Sequence, residues 1–401
     1  MLRMKGILYI SYDGMLEPLG QSQVLAYLKP LGASYRIYLI SFEKAADWSD
    51  RPSREELRRE IAAAGIAWLP LRYHKRPTVL ATSWDIARGI VLGIRSVWRY
   101  RLCVVHARSY VPSAMALGIK FVTGIRYLFD MRGFWADERV DGNLWAREGS
   151  MYRLAKWCEK RFLLRADHVV SLTNAAVVEL RRFAYLKGRM PSFTVIPTCA
   201  DLRIFRPCVV EGRDATFVLG YVGSVGTWYL FPEVAECFAE LLRLMPNARL
   251  LILNKGDHVY IRKALTIAGI PEHAVELKAV NYGEVAAEIA RMDAGIFFIK
   301  PVFSKQASAP TKLAEFLGCG IPCLTNVGVG DVAQILESEN VGVAVATFDR
   351  TTLSRGLSSI LQLAADPQVK VRCVATAEKY FSLDAGVKSY AAIYKNLTTL
   401  K

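Results

Sequence analysis

The sequence predicts an α/β protein of two doubly wound, parallel-sheet domains. Three observations carry this. Short β-branched and aromatic runs alternate with helical patterns through the first half, the pattern of parallel strands joined by crossover helices. The same rhythm restarts just after residue 216. The 401 residues, 52% apolar and 22% charged, exceed what one small core needs and have a globular composition.

In the first half the strand candidates are Gly6 to Ser11, Arg36 to Phe42, Ala67 to Arg72, Cys103 to Ala107, Arg126 to Met131, His168 to Leu172 and Phe193 to Ile196. In the second they are Phe217 to Val222, Arg249 to Leu253, Ala274 to Leu277, Ala294 to Ile299 and Ile321 to Leu324. Helical periodicity lapses between Asp201 and Thr216, where Pro207, Gly212 and several charges cluster. The expected domains are therefore 1–205 and 206–378, with an amphipathic terminal helix in 379–401, its pattern running from Tyr380 to Leu397.

In open α/β sheets ligands sit at the carboxyl ends of the strands. The first such loop, Ser11 to Gln23, holds Asp13, Gly20 and Gln21, and Gly20 either admits a ligand to the backbone or simply turns the chain. After the fourth strand stand His106 and Arg108. A guanidinium cannot act as a base at neutral pH but can hold a phosphate or sugar oxygen, while a lone strand-end histidine is as readily structural. The densest polar cluster follows the fifth strand, where Asp130, Arg132, Trp135, Asp137 and Glu138 fall within ten residues. Aromatic faces stack on sugar rings and carboxylates bind their hydroxyls, so this reads as a ligand wall; a salt-bridged surface loop is the alternative. Thr173 and Asn174, after the sixth strand, fit an N-cap. In the second half, Gly220 to Gly226 ends a strand in glycines without the helix spacing of a dinucleotide site.

The stretch Ser304 to Thr325 combines an anion site with a hydroxyl acceptor. Ser308 stands at the expected N-cap, Pro310 within the first residues after it, helix runs from Lys312 to Leu317, and Gly318 and Gly320 supply a left-handed stop. Free N–H groups at such a helix start bind phosphate. Lys312 in the first turn opposes the helix dipole by roughly a few tenths of a kcal/mol, which a bound anion would outweigh. One turn on, Glu315 is placed to accept hydrogen bonds from vicinal hydroxyls such as those of a ribose. The alternative is an ordinary i,i+3 surface pair.

This stretch resembles the nucleotide-sugar signature of GT-B glycosyltransferases of family 4: a Glu, seven residues, a second Glu, then a small residue, Gly and Pro. Ala314-Glu315-Phe316-Leu317-Gly318-Cys319-Gly320-Ile321-Pro322 is similar to its second half, while Ala307 stands where the family usually has the first Glu. The resemblance implies a GT-B fold, two Rossmann-like domains facing a central cleft. The N-terminal domain would take the acceptor, the C-terminal one the nucleotide sugar, and the last helix would pack back on the first domain. It implies donor contacts at Gly20, Gln21, Gly223, Ser224, Ser308, Thr311, Lys312 and Glu315. It implies catalytic contacts at His106 and Arg108, the latter where the family often has the second His of a His-x-His. Acceptor contacts would come from Asp13, Asp130, Arg132, Trp135, Asp137 and Glu138. The Arg and Lys common after the family's glycine turn are absent from Thr227 to Phe231, so Lys255, Lys300, Lys305 and Lys312 are the candidate cations. A UDP- or GDP-sugar donor, retention of anomeric configuration and no bound metal follow from the same resemblance, with dipole and cations carrying the leaving diphosphate's charge.

The net charge of +15 points to an acidic partner: nucleic acid, anionic lipid or a phosphorylated substrate. No recognisable binding motif interleaves aromatics with the charge, so nucleic acid is not the expected partner. Eight cysteines show no paired metal spacing and fit reduced, cytosolic thiols. The opening residues read as a strand whose apolar run is too short for a secretory leader, and no uncharged apolar run reaches the roughly 18 residues of a membrane span. Leu80 to Arg101 is basic and amphipathic, with Ile86, Ile90, Ile94 and Val97 on one stripe and Trp84 and Trp98 near the ends. Such a helix lies on a membrane surface or covers the sheet; basic stretches at Arg153 to Arg165 and Arg181 to Arg189 favour the membrane. The expectation is a cytoplasmic glycosyltransferase, peripheral at the inner face of the membrane. It would move a sugar from a nucleotide sugar to a carbohydrate or lipid-linked acceptor in cell-surface glycan or polysaccharide biosynthesis. The rivals are a sugar-nucleotide epimerase of the same fold and a non-enzymatic nucleic-acid binder.

Overall fold

The structure, a computed structural model, describes residues 4–209, 212 and 216–399. The chain forms two compact units, Met1–Ile196 with Leu383–Lys401, and Pro197–Ser382. The first unit thus ends before the expected boundary at 205, and part of the expected join, Asp201 to Thr216, lies outside the described residues. The earlier break has a local cause. Ala200 N–H donates to Phe381 O, and Phe205 is buried in the core of the second unit, so this stretch is fixed there.

The first unit holds seven parallel strands: β1 (Gly6–Ser11), β2 (Arg36–Glu43), β3 (Ile66–Arg72), β4 (Val104–Arg108), β5 (Arg126–Asp130), β6 (His168–Ser171) and β7 (Phe193–Val195). Their order is β3-β2-β1-β4-β5-β6-β7. Strand order reverses between β1 and β4, the place where such a sheet opens a ligand site at its carboxyl edge. β1 and β4 are buried throughout, as strands covered on both faces must be. The helices used below are α1 (Ala26–Gly32), α2 (Arg51–Ala63), α3 (Thr78–Tyr100), α4 (Tyr110–Thr123), α5 (Trp135–Asp141), α6 (Ser150–Arg165) and α7 (Asn174–Arg181). Thr173 caps α7, its hydroxyl accepting from Ala176 N–H at 3.1 Å.

The second unit holds six parallel strands: β8 (Val218–Val222), β9 (Arg249–Leu253), β10 (Val275–Lys278), β11 (Ala294–Ile296), β12 (Cys323–Asn326) and β13 (Gly342–Val345), in the order β10-β9-β8-β11-β12-β13. β12 starts later than periodicity predicts because Ile321 N–H is used to close the preceding helix on Phe316 O, and Pro322 has no N–H to donate. The edge strand β13 was not among the expected strands. Its four residues are mostly half-buried, and so short a run carries little periodic signal. Helices α8 (Phe231–Leu244), α9 (His258–Ile267), α10 (Thr311–Gly318), α11 (Val332–Ser338), α12 (Arg350–Ala364) and α13 (Val369–Phe381) cover this sheet. Among the described residues no helix is long and apolar enough to cross a membrane.

The terminal helix α14 (Leu383–Thr399) returns to the first unit and packs against α1. Its attachment is polar as well as apolar. Tyr394 OH lies 2.7 Å from His106 Nδ1, Tyr390 OH donates to Asp130 Oδ2 at 3.0 Å, and Tyr35 OH donates to Ala391 O at 2.9 Å. All of Tyr390, Tyr394, His106 and Asp130 are buried. Tyr394→Phe strands a buried ring nitrogen and is expected to cost about 1–3 kcal/mol, read as a lower urea midpoint for the first unit.

Candidate functional site

In the second unit the glycine turn after β8 and the start of α10 meet. Gly223 has φ +101°, a left-handed conformation that favours glycine, and a Cβ placed there would be in ordinary contact with Lys312 Nζ at 3.5 Å, so glycine makes the turn and the cation lies against it. Asn254, at the carboxyl end of β9, fixes the turn: its Nδ2 donates to Gly223 O at 3.0 Å and its Oδ1 accepts from Gly256 and Asp257 N–H at 3.0 and 2.8 Å. Asn326, at the end of β12, does the same for the end of the β11 segment, bonding both Ile299 N–H and O at 2.8 Å.

Helix α10 starts at Thr311, with Pro310 at the N-cap, and no side chain caps it. The expected N-cap, Ser308, instead sits outside the helix, partly exposed, with its N–H donating to Lys305 O at 3.1 Å. Pro310 has no side-chain oxygen, so no side chain caps the first turn, whose Leu313 N–H donates to Pro310 O at 3.2 Å. At the other end only Gly320 is left-handed, with φ +82°; Gly318 is the last helical residue.

Lys312 and Glu315 are both buried, at 6% and 9% exposure, which rules out the surface-pair alternative. Lys312 Nζ has no hydrogen-bond partner among the described residues and lies 3.8 Å from the ring centroid of Tyr229 and 4.7 Å from that of Tyr221. The rings attract the cation. Burial nevertheless pushes its pKa down to about 7, against the opposing pull of Glu315. Burial likewise pushes Glu315 up to about 7, with Lys312 partly offsetting it. Lys305 is buried too, its Nζ 3.9 Å above the Trp228 ring, and Lys300 N–H donates to Trp228 O at 2.9 Å. Two of the four candidate cations are therefore buried at this turn. Lys300 is half-buried, and Lys255 is exposed beyond β9. Ser224 contributes its carbonyl to Tyr221 OH at 2.7 Å.

The first unit treats its expected site residues differently. Gly20 is buried in a helical conformation, and a Cβ there would fall 2.0 Å from Gly14 O, so the glycine serves close packing of the loop on itself. Gln21 is exposed. His106, expected to be catalytic, is a core residue at 1% exposure. Its Nδ1 faces Tyr394 OH, its Nε2 lies 3.5 Å from Asp130 Oδ2, and burial lowers its pKa. Asp130 and Arg132, expected on an acceptor wall, belong to the same internal network. Burial alone would raise the Asp130 carboxyl, but Arg132, His106 and Arg108 outweigh it and hold it low. Asp137 is also turned inward, accepting from Tyr152 OH at 2.8 Å and Lys156 Nζ at 2.9 Å. Glu138 remains half-buried on α5.

Asp13, Arg108 and Trp135 remain. Arg108 Nη1 donates to Asp13 Oδ2 at 2.6 Å. Asp13 and Trp135 line a groove of ≈ 660 Å³ together with Tyr12, Tyr73, Arg139 and Trp145. Trp145 meets Trp135 edge-on at 5.1 Å, and Arg139 lies 5.3 Å from the Trp135 ring. The loop beside the groove is held by Glu43, whose buried carboxylate accepts from Met15 N–H at 2.9 Å and Ser41 OH at 2.5 Å. Sequence reading missed Asn254, Asn326 and Glu43. Each ends or directly follows a strand at its carboxyl edge, so the rule that drew attention to His106 and Arg108 would have found them. No group of three or more His, Cys, Asp or Glu among the described residues is arranged to hold a metal ion.

Two all-parallel, doubly wound units in one chain make up the architecture of GT-B glycosyltransferases, and solved structures of that fold match nearly the whole chain. Sucrose-phosphate synthase from Thermosynechococcus elongatus aligns over 98% of this chain and 99% of its own at 14% identity, with a TM-score of 0.76. Anabaena HepE, in complex with UDP and glucose, aligns over 99% and 100% at 14% identity, TM-score 0.69. A putative UDP-N-acetylglucosamine 2-epimerase from Listeria monocytogenes aligns over 100% and 98% at 11% identity, with a lower TM-score of 0.59. No curated protein matches the sequence. Residues 22–198, most of the first unit, match the glycosyl transferase 4-like domain. The chain thus carries a glycosyl transferase 4-like domain match over residues 22–198 and has the GT-B fold over nearly its whole length.

The Lys312 and Glu315 charges hold each other in check, so removing one should move the other. Lys312→Met is expected to raise the Glu315 pKa further above about 7, and a carboxyl NMR titration that left Glu315 unmoved would show that the two do not interact.

Proposed function

We propose that the protein transfers a sugar from a UDP- or GDP-sugar to a hydroxyl of a carbohydrate or lipid-linked acceptor, with retention of anomeric configuration. One observation carries this: the buried Lys312 ammonium, without a hydrogen-bond partner among the described residues, stands at the uncapped start of α10. A diphosphate there would receive hydrogen bonds from the first-turn amides and the charge of Lys312, with Lys305 as a second cation. Glu315, one turn deeper, would accept from the ribose hydroxyls. HepE of the same fold is solved with UDP and glucose, which makes UDP the first nucleotide to test.

In the proposed reaction the bond between the sugar's anomeric carbon and the diphosphate oxygen breaks. A new bond forms from that carbon to the acceptor hydroxyl oxygen, and the hydroxyl proton passes to the leaving diphosphate. Preorganised amides and cations stabilise the negative charge that develops on the leaving group. His106 is too deeply buried to serve as the base, which agrees with the phosphate taking the proton. The groove with Asp13 and Trp135 is the proposed acceptor site, the ring stacking on a sugar or similar flat apolar face and the carboxylate taking a hydroxyl. A separate site for a second substrate favours transfer over epimerisation. Cytoplasmic cell-surface glycan or polysaccharide synthesis is the process we propose for it.

Lys312→Ala is expected to weaken UDP binding by tenfold or more, about 1.4 kcal/mol, while leaving uridine binding nearly unchanged; Glu315→Ala should weaken both. Calorimetry in which both variants bind UDP like the parent would overturn the site.

The pH dependence has a definite sign. Below pH about 7 Lys312 is already charged, and above it each diphosphate bound must bring a proton with it, so UDP affinity should fall as pH rises from 7 to 9. In Lys312→Ala this fall should be lost, and what slope remains should run the other way, because the Glu315 carboxylate forms as pH rises.

A further inference from the structure

Helix α3 is turned with its large apolar side chains outward. Its packed face is made of Ala81, Asp85, Gly89, Gly93, Ser96 and Val97. A Cβ on Gly89 would lie 2.4 Å from Met115 Sδ and one on Gly93 2.3 Å from Ile119 Cδ1, so the small residues let α3 close onto α4. The stripe that faces away carries Leu80, Trp84, Val91 and Trp98, exposed at 69%, 59%, 49% and 63%. Of the apolar stripe read from periodicity, Ile86, Ile90 and Ile94 are half-buried along the flanks and Val97 is buried.

Helix α6 repeats the arrangement. Ala155, Glu159, Phe162 and Leu163 pack inward, while Met151, Leu154 and Trp157 are exposed. Both helices belong to right-handed crossovers running the same way along the sheet, which puts them on one face of it, and α4 packs against both. Phe121, near the end of α4, is 91% exposed.

The charges on this face have one sign. Arg95 and Arg99 on α3 and Arg153, Lys160 and Arg161 on α6 are exposed. The acids of the two helices are Asp85 and Glu159, both fully buried: Asp85 accepts from Tyr12 OH at 3.0 Å, and Glu159 pairs with Lys156. Tryptophans and leucines interspersed with arginines, with no exposed acid on either helix, match the interfacial region of an anionic bilayer, where the rings sit among headgroups and the guanidinium groups meet phosphates. An apolar patch this extensive is not the ordinary scatter of a soluble surface. At its edge, Val79 and Met151, at the starts of α3 and α6, also line the groove that holds Asp13.

We propose that this face docks on an anionic lipid bilayer with the groove mouth at the membrane surface, so that the acceptor is an amphiphile drawn from that bilayer. The amphiphilic acceptor rests on the reading of the groove given above; the docking does not.

Both can be tested separately with the full chain. Co-sedimentation with vesicles of phosphatidylglycerol and phosphatidylcholine should show binding that falls as salt rises, with little binding to phosphatidylcholine alone. The double variant Trp84→Glu, Trp157→Glu and the pair Arg95→Glu, Arg161→Glu should each lose tenfold or more of that binding. UDP binding by calorimetry should be unchanged in both, which reports on the donor site independently of the membrane. Equal affinity for the two vesicle types, or variants that bind like the parent, would overturn the docking. So would ultracentrifugation showing a dimer that the tryptophan variant abolishes, since the face would then be a contact between copies. With docking upheld, a bilayer-embedded acceptor predicts that a lipid extract presented in phosphatidylglycerol vesicles takes up labelled sugar from UDP-sugar faster than the same extract in detergent; the opposite order overturns that part.

Discussion

Burial weakens the hold of Lys312 on its proton, bringing its pKa down to about 7 against the pull of Glu315, and the aromatic rings around it return only part of the lost hydration. Much of the second unit is arranged about that ammonium. The turn at Gly223 lies against it, Asn254 holds that turn, and Asn326 ties down the segment that leads toward Lys305 and α10. The start of α10, left without a side-chain cap, lies next to the same charge. On the proposed reading, cation, uncapped helix start and a protonation state poised near neutrality are one device, each unfavourable alone and each relieved by a diphosphate at the same place.

The first unit shows the opposite use of polar groups. His106 lies within β4, and Asp130 and Arg132 at and just past the carboxyl end of β5, near where a ligand would be sought, yet the tyrosines of α14 reach two of them first. What is left over for a ligand is the Asp13 and Arg108 pair and the aromatic wall of Trp135 and Trp145, farther along the same edge.

The strands were legible because buried parallel strands are short apolar runs between glycine- and proline-marked loops, and most were placed within a residue or two. What failed did so for reasons that act at a distance. β13 is too short to show a period, and the unit boundary depends on Phe205 finding a pocket in the second core. Ser308 lost the cap to Pro310 because the chain makes a short helical turn over Phe303–Ala307 first. His106 was ambiguous in the sequence because the residue that satisfies it, Tyr394, lies at the far end of the chain. The pair Lys312 and Glu315 was placed correctly on one helix, but spacing could not show that both are buried. The orientation of α3 escaped periodicity because the helix is apolar on nearly every side, and only the glycines at 89 and 93 mark which side closes on α4.

Because α14 supplies Tyr390 and Tyr394 to partners near the middle of the first unit, that unit is covalently incomplete until α14 has been synthesised. The intervening unit, Pro197–Ser382, is continuous in sequence. On the ribosome the order of maturation is therefore inverted: the middle of the chain is able to fold while the beginning still waits, with His106 and Asp130 uncovered, for its closing helix to emerge.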